Sequence, residues 1–161
     1  MKKNQKGFSL IELLIVVAII LIIAAIAIPN LMRSRMAANE SSAVGSLRTI
    51  NTAEVTYSTT YPTIGFTATL TNLGGTATAC ASTITSTQAC LIDNVLASGT
   101  KSGYTFSATA GSTTPVVTYT SLGNPVTLNQ TGTRSFCSDQ SGVLYALVGA
   151  TGCTPTSGTA L

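Results

Sequence analysis

The most constraining feature of this sequence is an uncharged apolar run of 20 residues, Leu13–Met32. At about 1.5 Å per residue, a helix of that length spans roughly 30 Å, the thickness of the hydrocarbon core of a bilayer. Three lysines precede the run: Lys2, Lys3 and Lys6. The positive-inside rule therefore predicts a cytoplasmic N-terminus and a C-terminal part across the membrane. Hydropathy leaves two interpretations open, a permanent single-pass anchor or a secretory signal peptide cut after Ala25-Ile26-Ala27.

Glu12 lies directly before this run. On insertion scales a charged side chain costs about 2.5–3.5 kcal/mol near the bilayer centre. The apolar region of a secretory signal peptide has no use for such a group, so Glu12 favours a helix that is retained. Two roles stay open for its carboxylate: it is solvated at the level of the lipid headgroups, or it awaits a positively charged partner inside the membrane.

The residues around Glu12 resemble a known N-terminal motif. Lys6-Gly7-Phe8-Ser9-Leu10-Ile11-Glu12, the aliphatic run and Pro29 are similar to the N-termini of type IV pilins and their pseudopilin relatives. The resemblance implies that residues 1–7 are a leader, that a prepilin peptidase cuts between Gly7 and Phe8, and that the new N-terminus of Phe8 is methylated. Gly7 suits such a protease because a residue without a side chain can enter a narrow cleft in extended form.

The resemblance also implies an assembly chemistry that depends on the cut. The cut removes the three lysines and creates an ammonium group at Phe8, which Glu12 of a neighbouring subunit is expected to accept. Pairing the two charges in low dielectric relieves the desolvation cost of both. Pro29 removes one helical hydrogen bond and is expected to kink or loosen the helix. The implied partners are copies of the chain in a helical filament, the inner membrane before assembly, the prepilin peptidase and the pilus assembly machinery.

The composition argues against catalysis. The sequence has no His and no Trp, only five acidic residues, and 8% charged residues in all. Without His, a Ser-His-Asp triad and a His-based zinc site are impossible. The commonest general base is also missing. We therefore predict a protein that is not an enzyme and that has no cofactor.

Nucleic-acid and metal binding are not expected either. Without the leader, basic and acidic residues balance, and the head offers only Lys101 and Arg134 against Asp93 and Asp139. Some pseudopilins hold calcium in a C-terminal loop, which makes Asp139 a candidate ligand. One carboxylate in Asp139-Gln140-Ser141-Gly142 is nevertheless more typical of a turn. No metal site is predicted.

The helix is predicted to continue beyond Pro29, over Asn30–Thr59. Apolar residues recur there at helical spacing and predict a face that packs against the rest of the chain: Ala43, Leu47, Ile50 and Tyr57. Glu54 falls on the same face. Other charged residues are expected on the exposed side, available to neighbouring subunits: Arg33, Arg35, Glu40 and Arg48. The whole helix is predicted over residues 8–59, of which 8–32 lie in the membrane or the filament core.

The head, residues 60–161, is predicted to be small and antiparallel. Tyr61-Pro62 ends the long helix, and residues 62–102 form a connection with one short helix, Leu91–Ser98. Alternating residue types and turn signals predict four strands: Tyr104–Thr109, Val116–Ser121, Thr133–Ser138 and Val143–Val148. The predicted fold is α+β, in which the long helix packs on a small antiparallel sheet of about four strands with disulfide-closed loops.

All four cysteines follow the membrane segment, which places them outside the cytoplasm, where disulfides persist. Three pairings are possible. We favour Cys80–Cys90 and Cys137–Cys153 because each pair joins nearby residues. A metal site is the alternative, but the sequence has no CxxC pair. The second pair resembles the disulfide-closed C-terminal loop of many pilins.

The resemblance implies a structural subunit of a type IV pilus that serves adhesion, motility or surface attachment. Such a chain crosses the inner membrane once before assembly and then reaches the cell surface in the filament. A pseudopilin of a type II secretion system shares the N-terminal motif and is the alternative. A membrane-anchored enzyme with a Thr-rich ectodomain is a third interpretation, against which processing at Gly7 would argue.

Overall fold

The structure is a computed structural model that describes residues 8–82 and 84–161. The predicted leader residues lie outside the described residues: Lys2, Lys3, Lys6 and Gly7. The chain divides into two compact units, one that extends to Arg35 and one from Met36 to Leu161.

The first unit contains the beginning of α1, a helix of 51 residues from Leu10 to Thr60. As far as Arg35 its side chains are exposed, with Ala24 half-buried. By length and composition alone, α1 qualifies as a helix that could cross a membrane. Pro29 lies inside α1, so the helix does not end at Ile28. Because proline has no N–H, the carbonyl four residues earlier loses its helical donor.

The second unit contains the rest of α1, and its described residues add three short helices and six strands. The helices are α2 (Leu70–Leu73), α3 (Ala77–Ser82) and α4 (Asn94–Ala97). The strands are β1 (Thr100–Lys101), β2 (Tyr104–Ala110), β3 (Tyr119–Pro125), β4 (Arg134–Asp139), β5 (Leu144–Val148) and β6 (Thr159–Ala160). Each strand pairs antiparallel with the next, in the order β1-β2-β3-β4-β5-β6. The α+β fold is confirmed.

The predicted number of strands is wrong because the two edge strands are too short to show a pattern. β1 and β6 have two residues each. They are strands only through their partners, since Lys101 lies opposite Tyr104 and Ala160 lies opposite Tyr145. Such pairings depend on where neighbouring strands are placed, which alternation along a single segment does not reveal.

The start of β3 also differs from the prediction, at Tyr119 rather than Val116. Val116 forms an isolated bridge with Gly65 instead. The strand continues to Pro125, through Gly123, which reads as a turn signal in the sequence. Gly123 lies inside the strand because β3 pairs with β2 on one side and β4 on the other. It lies opposite Phe106 in β2 and Phe136 in β4.

The predicted short helix Leu91–Ser98 is confirmed only in its second half, α4. Its first turn is fixed by Asp93, whose Oδ1 accepts the N–H of Leu96 at 2.9 Å. Leu91 and Ile92 lie before the helix, and both donate their N–H groups to the carbonyl of Leu73. Gly99, two residues after the last residue of α4, has a φ of +82°, which favours glycine.

The core of the second unit lies between α1 and one face of the sheet. The predicted face of α1 is buried, which confirms it: Ala43, Leu47, Ile50 and Tyr57. The sheet and the short helices supply the other side chains of the cluster, among them Tyr104, Phe106, Phe136, Leu144, Leu73 and Leu96. Burying a side chain of this kind is worth about 1.5–3 kcal/mol, so the cluster decides which face of α1 meets the sheet.

Candidate assembly site and helix anchors

Glu12 and Phe8 lie at the start of α1. The Phe8 side chain is 84% exposed, and Glu12 is also exposed. One carboxylate oxygen of Glu12, Oε2, accepts the N–H of Ser9 at 2.9 Å. This bond satisfies an amide that the first turn of a helix leaves without an intrahelical partner. The other oxygen has no hydrogen-bond partner among the described residues, so the carboxylate can accept a cation from outside the chain.

The apolar side chains that follow Glu12 have no cover within the first unit. Large aliphatic residues are exposed along the whole length of the run, among them Leu14, Ile19, Ile22, Ile26 and Leu31. Exposure to water costs about 25 cal/mol for each Å² of apolar surface. A helix that is apolar all round is therefore stable only in lipid or among other apolar helices. This part of α1 requires a partner that its own unit does not supply.

Glu40 is an anchor between α1 and the sheet in the second unit. Its Oε1 accepts both the N–H and the hydroxyl of Thr133 at 2.8 Å. Its Oε2 accepts Nε of Arg134 and lies 2.8 Å from a terminal nitrogen of the same guanidinium. Burial alone raises the pKa of Glu40, but the bonds from Thr133 and Arg134 and the charge of Arg134 outweigh it, so the pKa lies below the ordinary 4.5.

The prediction that Glu40 is exposed and available to neighbouring subunits is therefore wrong. The residue is 7% exposed. Its partners lie on or beside β4, more than ninety positions away in the sequence. The spacing of residues within one helix cannot reveal such distant partners. Glu40 was therefore placed on the exposed side only because it is charged.

Asn51 is a second anchor, and the sequence analysis did not identify it. Its Nδ2 donates to the hydroxyl of Ser138 at 2.7 Å. Its Oδ1 accepts the hydroxyls of Tyr119 at 3.1 Å and Ser121 at 3.3 Å. Because buried amides are costly unless they are hydrogen-bonded, these contacts to β3 and β4 fix the register of α1 on the sheet.

Glu54 is a further polar residue on the buried face, and its surroundings differ from those of Glu40. The side chain is fully buried, at 0% exposure. Its Oε2 accepts the N–H of Thr67 at 3.0 Å, and its Oε1 has no partner among the described residues. Burial raises the pKa of Glu54 to about 7, against the smaller lowering effect of the bond from Thr67.

Disulfides close two segments of the second unit. The described cysteines form Cys80–Cys90 and Cys137–Cys153, with Cα atoms 5.8 and 5.6 Å apart. This is the pairing that the sequence analysis favours. The second bond attaches the chain after β5 to β4, and such a bond stabilises a fold mainly by restricting the unfolded chain.

The segment after β4 forms the turn that the sequence predicts. The carboxylate of Asp139 accepts the N–H of Ser141 at 2.9 Å, and Gly142 donates its N–H to the carbonyl of Asp139. Gly142 has a φ of +75°, which suits glycine. Asp139 thus has the role of a turn-former that we favoured over that of a calcium ligand.

The two cations of the head are paired within the chain. Lys101 lies 2.8 Å from a carboxylate oxygen of Asp93, and Arg134 is bound to Glu40. The arginines of α1 are exposed as predicted and have no acidic partner among the described residues: Arg33, Arg35 and Arg48. The described residues of the head therefore form no broad basic surface of the kind that binds a phosphate backbone.

Comparisons with known proteins bear on the N-terminal region. The family described as "Prokaryotic N-terminal methylation motif" matches residues 2–28. The type IV wide pilus major component PilA4 of Thermus thermophilus is 62% identical over 39 residues, which are 24% of this chain and 30% of that protein. The N-terminal region of the chain is similar to that of type IV pilins.

Two further type IV pilins match in the same way. The type IV major pilin protein PilA of Myxococcus xanthus is 46% identical over 54 residues, which are 34% of this chain and 24% of that protein. The type IV major fimbrial protein FimA of Dichelobacter nodosus is 54% identical over 52 residues, 30% of this chain and 33% of that protein. The chain spans about a third or less of the length of the curated relatives it matches. No solved structure matches it.

These matches confirm the resemblance to type IV pilins, which was inferred from Lys6 to Glu12, the aliphatic run and Pro29. Phe8 lies two residues before α1, Glu12 lies in its first turn, and Pro29 lies further along the same helix. Gly7 lies outside the described residues. Cleavage after Gly7, methylation of Phe8 and the part of Glu12 in assembly stay predictions.

Proposed function

We propose that this chain is a structural subunit of a type IV pilus. The exposed apolar surface of α1 in the first unit carries the proposal, because most of it lies within the match to the methylation motif and it has no cover within its own unit. Lipid covers such a surface before assembly, and the same helices of other copies cover it in a filament. The names of the relatives, which are major components of type IV pili or fimbriae, support this proposal.

Processing is the first step of the proposal. A prepilin peptidase cuts on the cytoplasmic side between Gly7 and Phe8, and the new amino group of Phe8 is methylated. Residues 1–7 are then the leader, 8–59 the long helix, and 60–161 the head. The cut removes the lysines that hold the leader in the cytoplasm and leaves a cation four residues before the carboxylate of Glu12.

Assembly is the second step. The ammonium group of Phe8 in one subunit binds Glu12 of its neighbour, since that carboxylate has an oxygen free to accept it. A subunit that enters the filament without the partner charge leaves a buried carboxylate unpaired, at a cost of about 3–5 kcal/mol. The pair thereby selects the register at which each subunit is added. The missing hydrogen bond at Pro29 lets the helix adjust to its neighbours.

Location and partners follow from these steps. The chain crosses the inner membrane once, and the pilus assembly machinery then moves it into a homopolymer at the cell surface, for adhesion, motility or surface attachment. A structural rather than catalytic role agrees with a sequence that lacks His. The pairing of Lys101 and Arg134 with acids supports a head that does not bind nucleic acid.

The mature N-terminus and the polymer test the proposal together. Mass spectrometry of the protein from cells is expected to find a chain that starts at Phe8 with one added methyl group, and electron microscopy is expected to find surface fibres that antibodies to the head label. A chain that starts at Ile28 would mean cleavage by signal peptidase and would contradict the proposal. Methylated Phe8 with short periplasmic polymers in place of surface fibres would favour the pseudopilin of a type II secretion system.

A further inference from the structure

Glu54 is a fully buried carboxyl group that lacks a countercharge. It has one hydrogen-bond donor, the N–H of Thr67, and its second oxygen has no partner among the described residues. The described cations are engaged or exposed elsewhere: Lys101 on Asp93, Arg134 on Glu40, and Arg33, Arg35 and Arg48 at the helix surface. An isolated buried carboxylate is far more costly than the neutral acid, so this site favours a proton on Glu54.

The titratable groups that interact with Glu54 do not supply a charge either. They are two tyrosines, Tyr57 on α1 and Tyr119 on β3. Burial raises the pKa of both phenols, so both are neutral near pH 7. Their hydroxyls are already committed, since Tyr57 donates to the carbonyl of Ser86 and Tyr119 donates to Asn51. Among the described residues, a negative charge on Glu54 therefore finds no countercharge and is stabilised only by the N–H of Thr67.

Glu54 holds the segment that leaves the end of α1. Thr67 is 2% exposed, and its hydroxyl accepts Nδ2 of Asn72 at 3.0 Å. The carbonyl of Asn72 in turn accepts the N–H of Ala89 at 2.8 Å, and the carbonyl of Leu73 accepts that of Leu91 at 2.7 Å. The contact at Glu54 thus begins a series of hydrogen bonds that reaches the loop closed by the Cys80–Cys90 disulfide.

We propose that Glu54 is a proton-operated latch: as the neutral acid it holds residues 61–76 against α1, and its ionisation loosens that segment together with the Cys80–Cys90 loop. The latch does not depend on filament formation, because every contact that it uses lies within the second unit. It opens as pH rises, since water must reach the carboxylate to solvate it.

The direction of the pH effect follows from proton linkage. The folded chain holds this proton to about pH 7, whereas the unfolded chain releases it near 4.5. The stability associated with the neutral acid is therefore complete below about pH 4.5 and is lost as pH rises to about 7. Over that window the folding equilibrium constant falls by up to about tenfold per pH unit.

Two measurements on the full mature chain in detergent micelles test the latch. The ¹³C shift of the Glu54 carboxyl carbon is expected to titrate near pH 7. Amide hydrogen exchange at Thr67, Ala89 and Leu91, corrected for base catalysis, is expected to accelerate as pH rises from about 4.5 to about 7 and to level off above that midpoint. Phe106, whose N–H is bonded to the carbonyl of Gly99 beside the sheet, is the internal control and should not accelerate.

Variants separate the latch from a general loss of stability. Glu54→Gln keeps the shape of the neutral acid and should abolish the pH-dependent acceleration. Glu40→Gln removes the other buried carboxyl of α1 and should leave that acceleration in place. A carboxyl midpoint near 4.5, or the same acceleration in Glu54→Gln as in the unmodified chain, would overturn the proposal. The NMR titration keeps it testable even if Glu54→Gln does not fold.

Discussion

The two parts of helix α1 differ in whether the rest of the chain covers their apolar side chains. From Leu10 to Arg35 the aliphatic side chains are exposed on every side. From Glu40 to Tyr57 one face is buried against the sheet, and the polar groups on it are bonded to the head. The second part finds its partner within the chain, and polar anchors specify that partner in one register. Among the described residues of its own unit the first part has no such partner, and one oxygen of its carboxylate accepts no hydrogen bond from them.

This difference shows which feature of a helix indicates that it packs against something outside its own chain. A helix with a single apolar stripe can bury that stripe within its own fold, as α1 does at Leu47 and Ile50. An apolar surface on all sides cannot be buried in this way, and it needs lipid or other helices. Each part has a carboxylate near its apolar residues: Glu40 binds an arginine of the same chain, and Glu12 is proposed to bind the amino group of another.

Of the variants that test this difference, Glu12→Gln is expected to have the largest effect, a loss of filaments. The amide keeps the shape of the carboxylate but leaves the Phe8 ammonium of a neighbour without its countercharge, at a cost of about 3–5 kcal/mol for each subunit. Filaments counted by electron microscopy should fall to background. Mass spectrometry should still find a methylated Phe8, because the cut precedes assembly.

Ser9→Ala is the matched control for Glu12→Gln. Ser9 contributes only its backbone N–H to the observed contact with Glu12, and alanine keeps that group. Filament numbers should stay near those of the unmodified chain. Normal filament numbers for Glu12→Gln would contradict the proposal that Glu12, unlike Glu40, binds a group of another chain.

Leu47→Ala should be the most destabilising of the changes to the second part of α1. Leu47 is completely buried, and truncating a leucine in a core costs about 2–5 kcal/mol. Thermal or denaturant unfolding of the mature chain in micelles measures the loss. Val55→Ala, on the same helix but at a side chain that is 53% exposed, should change stability by less than about 0.5 kcal/mol. Equal losses for the two variants would contradict the assignment of the buried face.

Glu40→Gln should have a smaller effect, with a distinctive dependence on pH. Replacing a carboxylate that accepts several donors costs about 1–3 kcal/mol at neutral pH. Because the pKa of Glu40 is lowered in the folded chain, its contribution is present above the ordinary 4.5 and is lost as pH falls through the folded value. The stability difference between the two chains should therefore shrink on acidification, the reverse of the behaviour expected at Glu54. A difference that grows in acid would contradict the ion pair.

The sequence was most informative where the interactions are local. Spacing along one helix identified the buried face from Ala43 to Tyr57, and turn chemistry identified the hairpin at Asp139. The motif from Lys6 to Glu12 indicated the resemblance to type IV pilins because its residues are contiguous.

The features that were predicted wrongly or not at all depend on partners far away in the sequence. The anchors Glu40 and Asn51 bind residues of the sheet, and β1 and β6 exist only through the strands beside them. A charged or amide side chain on a helix carries no local signal that a donor will meet it. Such contacts arise only once the sheet has been placed, which is why Glu40 was assigned to the wrong side of the helix.

The most direct test of this account is a filament structure by electron cryomicroscopy at side-chain resolution. We expect Leu13–Met32 to lie in the interior against the same segment of other copies, with a carboxylate oxygen of Glu12 about 3 Å from the Phe8 nitrogen of a neighbour. The account would be contradicted by a filament in which this segment faces solvent, or in which Glu12 binds no amino group from another subunit.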